Sequence, residues 1–174
     1  PDGKQQKVGE LKLEKPIEVL FEGLELDTFK PLKSSELKTP ISKTLDSIEE
    51  SFCYLMVGQW CQGGFGEDRK DIPRAIKTFY ETFANKTSPP ALIVKTSGAT
   101  FSILDKEECK RKLNWIKNQF PGDVKLPNVY FIHGSLSTEE MNEMYNHHKV
   151  KAFYLTTHGE GFGRPLLEAS FTGL

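Results

Sequence analysis

From about residue 50 onward, short apolar runs alternate with longer amphipathic segments. Residues 52–57 (FCYLMV) are apolar without interruption and end at Gly58, which predicts a strand buried on both faces. Ala91–Lys95 (ALIVK), Val129–Ile132 (VYFI) and residues 152–156 (AFYLT) predict three more strands of the same kind. Helical spacing fills the gaps. Ile72, Ala75, Ile76, Phe79 and Phe83 recur on one face, with Asp71 as the expected cap and Pro73 in the first turn. Asp105 and Glu108 have capping-box spacing ahead of Cys109, Leu113 and Ile116. Ser137 and Glu140 repeat that spacing before Met141, Met144 and Tyr145, and RPLLEAS opens a last helix with Pro165 near its start. Strands that are apolar rather than alternating, each followed by a helix, specify α/β architecture: a Rossmann-like, doubly wound parallel sheet covered on both faces.

Outside this repeat the pattern changes. IEVLFEG (residues 17–23) reads as a further strand, and the Ser/Lys/Pro-rich stretch 33–43 reads as a linker. The chain ends at Gly173-Leu174, a helix stop after which another strand is expected, so the domain is expected to be truncated there. Pro1 in place of a methionine points to a piece of a longer protein.

At 174 residues the chain suits one ordinary domain, and 37% apolar with 27% charged residues is the balance of a globular protein. Twenty-three basic against 24 acidic residues leave no basic excess for nucleic acid. No apolar run approaches a membrane span, and the polar opening carries no signal peptide. Cys53, Cys61 and Cys109 are odd in number and lack a Cys-x-x-Cys spacing, which predicts free thiols and a reducing, cytoplasmic setting. His147 and His148, adjacent on an expected helix, point to different sides and make a poor metal pair.

In open parallel sheets ligands bind beyond the carboxyl ends of the strands. Two loops there carry chemistry. GQWCQGGFGEDRK follows the first strand with four glycines, Gly58 among them, then Arg69 and Lys70. Cations beside a helix N-terminus oppose the helix dipole, and an anion between them resolves the conflict; the bland alternative is a solvated run, EDRKD, balanced by its own acids. THGEGFGRPLLE follows the fourth strand, with Glu160, then Gly161, Phe162 and Gly163, then Glu168 expected in the first helical turn. Glycines ahead of a helix N-terminus leave N–H groups for phosphate or sugar oxygens. His133 and His158 sit at expected strand ends facing the same cleft.

HGEGFGRPLLEAS resembles the Glu, seven residues, Glu motif of the retaining glycosyltransferases of the GT-B fold, the glycosyl transferases group 1 family. IEVLFEGLELDTFKP, FCYLMVGQW, DRKDIPRAIKTF and VYFIHGSLSTEEMNEMYNHHKVKAFYLTT resemble other segments of that family in the same order. The resemblance implies a C-terminal, donor-binding half, with residues 1–45 the end of an acceptor domain and linker and residues 46–174 a nucleotide-sugar-binding domain. It implies that Glu160 lies beside the transferred sugar and that Glu168 binds the ribose. Lys70 with Arg69 would neutralise the diphosphate, Gly58 and the backbone of Gly161, Phe162 and Gly163 would hold sugar or phosphate oxygens, and the loop of His133 would touch the base. Relatives commonly carry arginine directly after the glycine that ends the first strand, where this chain has Gln59.

The same resemblance implies transfer of a hexose from a nucleotide-diphosphate sugar to an acceptor hydroxyl with retention. The donor is a substrate rather than a cofactor, and no metal is needed, in keeping with the lack of an Asp-x-Asp motif. The acceptor, a glycan or lipid-linked, would be held by the other half. Rival readings are a non-catalytic nucleotide-sugar-binding fragment and a sugar-nucleotide epimerase or phosphorylase of the same fold. A dinucleotide oxidoreductase needs Gly-x-Gly-x-x-Gly, which the glycines at 58, 63, 64 and 66 do not form. An open sheet edge at the end of the chain predicts a homodimer or other self-association.

Overall fold

The computed structural model describes residues 9, 10, 12–61 and 63–174. Helix α1 (Pro40–Asp46) precedes four strand–helix steps. These are β1 (Cys53–Val57), α2 (Ile72–Phe83), β2 (Ala91–Lys95), α3 (Ile103–Lys117), β3 (Val129–Ile132), α4 (Thr138–Asn146), β4 (Val150–Phe153) and α5 (Arg164–Thr172). The strands are parallel and lie in the order β3-β2-β1-β4. The chain therefore reverses its direction of winding between β1 and β4.

The two-residue period of a strand explains why the middle of the sheet is apolar on every residue. Cys53, Leu55 and Val57 of β1 with Ala91 and Ile93 of β2 point to one face, against Ile41 and Leu45 of α1, Met144 and Tyr145 of α4 and Ala169 of α5. Met56, Leu92 and Val94 point to the other, against Ile72, Ala75, Ile76, Phe79 and Tyr80 of α2 and Cys109 and Ile116 of α3. This is the doubly wound α/β sheet read from the sequence. Cys53 and Cys109 are buried free thiols, and burial pushes the Cys53 thiol up to about 11. Among the described residues no helix is long and apolar enough to cross a membrane.

Local expectations fared unevenly. The capping box at Ser137 and Glu140 forms, and Gly173 ends α5 in a left-handed conformation. The box at Asp105 does not form. Ser102 caps α3 by accepting from the Asp105 N–H, while the Asp105 carboxylate reaches back to the N–H groups of Gly98 and Ala99. Asp71 occupies the cap position of α2 at φ 48°, and its carboxylate bonds Arg74 and the Gly66 N–H rather than capping the helix. Asp68, fully buried, accepts the Ile72 N–H at 3.3 Å in its stead. The fourth strand lies two to three residues earlier than read, and an irregularity at Lys151 shifts its register on β1 between Cys53 and Tyr54. His147 is the extended residue that closes α4 rather than part of it, so its ring lies 4.4 Å from that of His148 instead of diverging. Its Nδ1 accepts from the Lys149 N–H and its Nε2 faces Asp46 at 3.2 Å. Burial and the adjacent His148 push its pKa down, so the ring is neutral with its proton toward Asp46.

The largest departures lie before β1. The segment 17–23 forms no strand: among the described residues nothing supplies a ladder for it, and Val19 and Leu20 are 99% and 93% exposed. The stretch 33–43 is no open linker. It forms a 3-10 turn (Ser34–Glu36) and the start of α1, and the buried carboxylate of Glu143 on α4 holds it. Glu143 accepts from the N–H groups of Lys38 and Thr39 and from the hydroxyls of Thr39 and Ser42, so one helix caps the N-terminus of another. Asn142 and Asn146 extend the clamp to the backbone of Lys30 and Leu32.

Candidate functional site

The winding reversal leaves a crevice at the carboxyl ends of β1 and β4, which is where parallel sheets bind ligands. The loop after β1 and the loop after β4 are laced together there. The His158 N–H and the Thr157 hydroxyl donate to the Arg69 carbonyl, and the Thr156 hydroxyl donates to the carbonyls of Lys70 and Asp71. Arg69 in turn donates to the Gly159 carbonyl at 2.7 Å. Asp71 accepts from the Gly66 N–H and from Arg74, and pairs with His158 at 3.1 Å.

At the centre, the Lys70 ammonium meets the Glu160 carboxylate directly, and Arg69 stands 3.6 Å from its other oxygen. Lys70 is 7% exposed, which excludes a solvated charge run: its partner lies on the other loop, not in EDRKD. Burial by itself raises the pKa of Glu160, but the bond and charge of Lys70 outweigh it, aided by Thr157 and Arg69, and the carboxyl ends below its usual range. It is ionised at neutral pH. Arg69, Glu160 and Gly161 with His158 and Gly159 line a cleft of about 470 Å³. Gly163 stands at the cap of α5 with φ 76°, a conformation strained for any residue with a Cβ. Phe162 beside it packs edge-on against Phe21, ring centres 5.2 Å apart.

The remaining candidates spread outward from this centre. Gly58 directly follows β1, and a Cβ built on it would meet the aliphatic stem of Lys70 at 3.6 Å. Gln59 donates its amide to the Gly98 carbonyl at 2.7 Å. Glu168 lies in the second turn of α5 rather than the first, 7% exposed, and accepts from the Tyr145 hydroxyl and from Arg164, each at 2.9 Å. Burial and the charge of Glu168 push the Tyr145 phenol up. The His133 side chain is 4% exposed and bonded to Asp105 at 2.8 Å. It braces the loop after β2 instead of lying open in the crevice.

Sequence reading gave Asp68 and Thr157 no role, and Asp71 only that of a helix cap. Asp68 and Asp71 are buried, and together they shape the loop that presents Lys70: the Lys70 N–H donates to Asp68 and the Gly66 N–H to Asp71. Two acids flanking RK were visible, but their burial was not. A larger depression, about 720 Å³, lies at the opposite, amino ends of β1, β2 and β3 around Phe52, Pro90 and Asn128. It lacks the paired cations and the helix N-terminus of the crevice.

Fold and crevice together define a doubly wound α/β domain with a polar, charged crevice at its switch point. No protein-family model and no curated protein sequence matches the chain. Among solved structures it is similar to the C-terminal domain of a glycosyl transferase group 1 family protein (LpcC) from Francisella tularensis. That similarity has a TM-score of 0.56 at 17% identity, over 86% of this chain and 67% of the other. The chain thus has the fold of that domain, the one expected from the resemblance.

Proposed function

We propose that this chain is the donor-binding half of a retaining glycosyltransferase, holding a nucleotide-diphosphate hexose in the crevice between β1 and β4. The observation that carries this reading is the direct contact of Lys70 with Glu160, residues 90 positions apart that come from the two loops at the switch point. Breaking the anomeric C–O bond leaves negative charge on the diphosphate and positive charge on the sugar ring. Lys70, Arg69 and the N-terminus of α5 offer fixed positive charge and N–H groups to the leaving group, a task that needs no metal in this reading. The ionised Glu160 stands where it can meet the sugar hydroxyls and the cationic ring. An acceptor hydroxyl, from a glycan or lipid-linked molecule held by the other half, attacks from the departing face, loses its proton to the departing phosphate oxygen, and preserves the configuration. Glu168 reaches the ribose in this scheme once Arg164 and Tyr145 share it.

Calorimetric titration with UDP, GDP and ADP and their hexose conjugates tests the reading. Lys70→Ala is expected to weaken the preferred nucleoside diphosphate at least tenfold, about 1.4 kcal/mol. Unchanged affinity in that variant, or no binding by the parent chain, overturns it.

A further inference from the structure

A second pocket, about 390 Å³, opens at the carboxyl ends of β1 and β2, lined by Gly58, Lys95, Thr96, Ser97, Thr100 and Phe101 among others. Gly58 belongs to its wall, and a Cβ built on it would meet the stem of Lys70 at 3.6 Å, so the pocket and the cationic centre are neighbours across a single glycine. Its floor is unusual. Lys95 closes β2, where the pattern of the other buried strand positions calls for an apolar residue, and burial pushes its ammonium down. The Nζ donates to the Gly134 carbonyl at 2.7 Å and lies 5.7 Å from the ring centre of Phe101. An ammonium carries three N–H donors. Gly134 takes one, and no other acceptor meets Nζ among the described residues. Phe101 is 56% exposed, a ring with a face to offer.

The wall is stiff. Asp105 ties down the N–H groups of Gly98 and Ala99 and holds His133, whose ring packs edge-on to Phe101 at 6.2 Å. A Cβ on Gly98 would crowd an Asp105 oxygen, so a larger residue there would force Asp105 to shift from its hold on the loop.

We propose that this pocket takes the nucleobase of the donor and that Lys95 selects a base with a carbonyl on its edge, uracil or guanine, over adenine. The inference rests on the donor-site reading above and adds to it the identity of the base. With the diphosphate at Arg69 and Lys70, the nucleoside extends past Gly58 into the pocket, its base against Phe101 and its carbonyl oxygen on the spare donors of Lys95. Uracil O4 and guanine O6 accept there, whereas adenine presents an amino group, donor against donor. A site built around a buried donor rejects the ligand that leaves it unpaired.

Calorimetry with UDP, GDP and ADP on the parent chain, Lys95→Met, Phe101→Ala and Lys70→Ala separates the ideas, with thermal melts to verify folding. The parent is expected to bind UDP or GDP at least tenfold tighter than ADP. Lys95→Met is expected to erase that preference, with ADP affinity held within about threefold. Phe101→Ala, at an exposed ring, should weaken all three together. Equal binding of ADP by the parent, or equal weakening of all three by Lys95→Met, overturns the role of Lys95 and leaves the donor site standing. Lack of binding by any of the three overturns both. If Lys95→Met fails to fold, the preference of the parent and the response of Phe101→Ala still decide the matter.

Discussion

Two carboxylates, Glu143 on α4 and Glu160 in the loop after β4, show what separates a scaffold from a site. Glu143 is satisfied by neutral donors of its own chain, the N–H groups of Lys38 and Thr39 and the hydroxyls of Thr39 and Ser42. Every partner is fixed in place, and the group is 6% exposed. Glu160 instead meets two cations, is 21% exposed at its side chain, and lines an open cleft. Both carboxyls lie below their usual pKa despite burial. In Glu143 neutral dipoles overcome it and in Glu160 charges do. Neutral dipoles aimed at one carboxylate serve nothing else. A cation pair can be shared with an incoming anion, so only the second arrangement is open to chemistry.

The comparison breaks most visibly at Glu143. Glu143→Ala orphans the donors at the start of α1 and is expected to destabilise the fold by about 2–4 kcal/mol, read from the midpoint of chemical denaturation. A loss under about 0.5 kcal/mol would show that the clamp is decoration. Swapping each carboxylate for its amide sharpens the contrast. Glu143→Gln turns N–H groups toward N–H donors and should cost about 1–2 kcal/mol. Glu160→Gln sits in a wetter place and should cost under about 1 kcal/mol, while abolishing transfer in a full enzyme that contains this half. The reverse ranking in stability would mean that the roles are exchanged.

Acid separates the two as well. A carboxyl with a lowered folded pKa contributes its stability fully above its unfolded value, 4.5 for Glu143, and loses it as pH falls through the folded one. The stability gap between parent and Glu143→Ala should therefore be constant near neutrality and shrink progressively below about pH 4.5. A gap that widens on acidification contradicts the assignment. The smallest effect belongs to the exposed apolar segment. Val19→Ser with Leu20→Ser should shift stability by under about 0.5 kcal/mol, since both side chains stand in solvent.

Legibility followed physics. Ala91–Lys95 and Val129–Ile132 were readable to the residue, and β1 nearly so, because a strand buried on both faces tolerates little but apolar side chains. The helical faces of α2 and α4 were readable because one stripe must be apolar. The strand reading of 17–23 failed for the complementary reason: apolar residues specify a strand only where a neighbouring strand completes the ladder. Caps divided on backbone conformation. Ser137 has the extended backbone that a side-chain cap requires, whereas Asp71 is left-handed and Asp105 already lies inside its helix.

The crevice followed the same rule. Arg69, Lys70, Glu160 and the glycines around them could be singled out as unusual for their positions, since charge at a helix start and glycine before one carry local costs that sequence exposes. Their meeting could not be read, nor could the buried aspartates beneath Lys70, nor the nearness of Lys95 to Gly134.

What the sequence by itself determined is the alternation of buried strands and one-sided helices, and with it the doubly wound class, because burial on two faces or one is written as a period of apolar residues. What only the tertiary structure decided is which polar groups pair: Glu143 with the turn before α1, Glu160 with Lys70, Asp105 with His133. Those partners lie from 28 to 105 residues apart. Apolar burial needs no particular partner and so leaves a pattern in the chain, whereas a hydrogen bond or ion pair is set by direction and distance, which exist only once the sheet has brought its loops together.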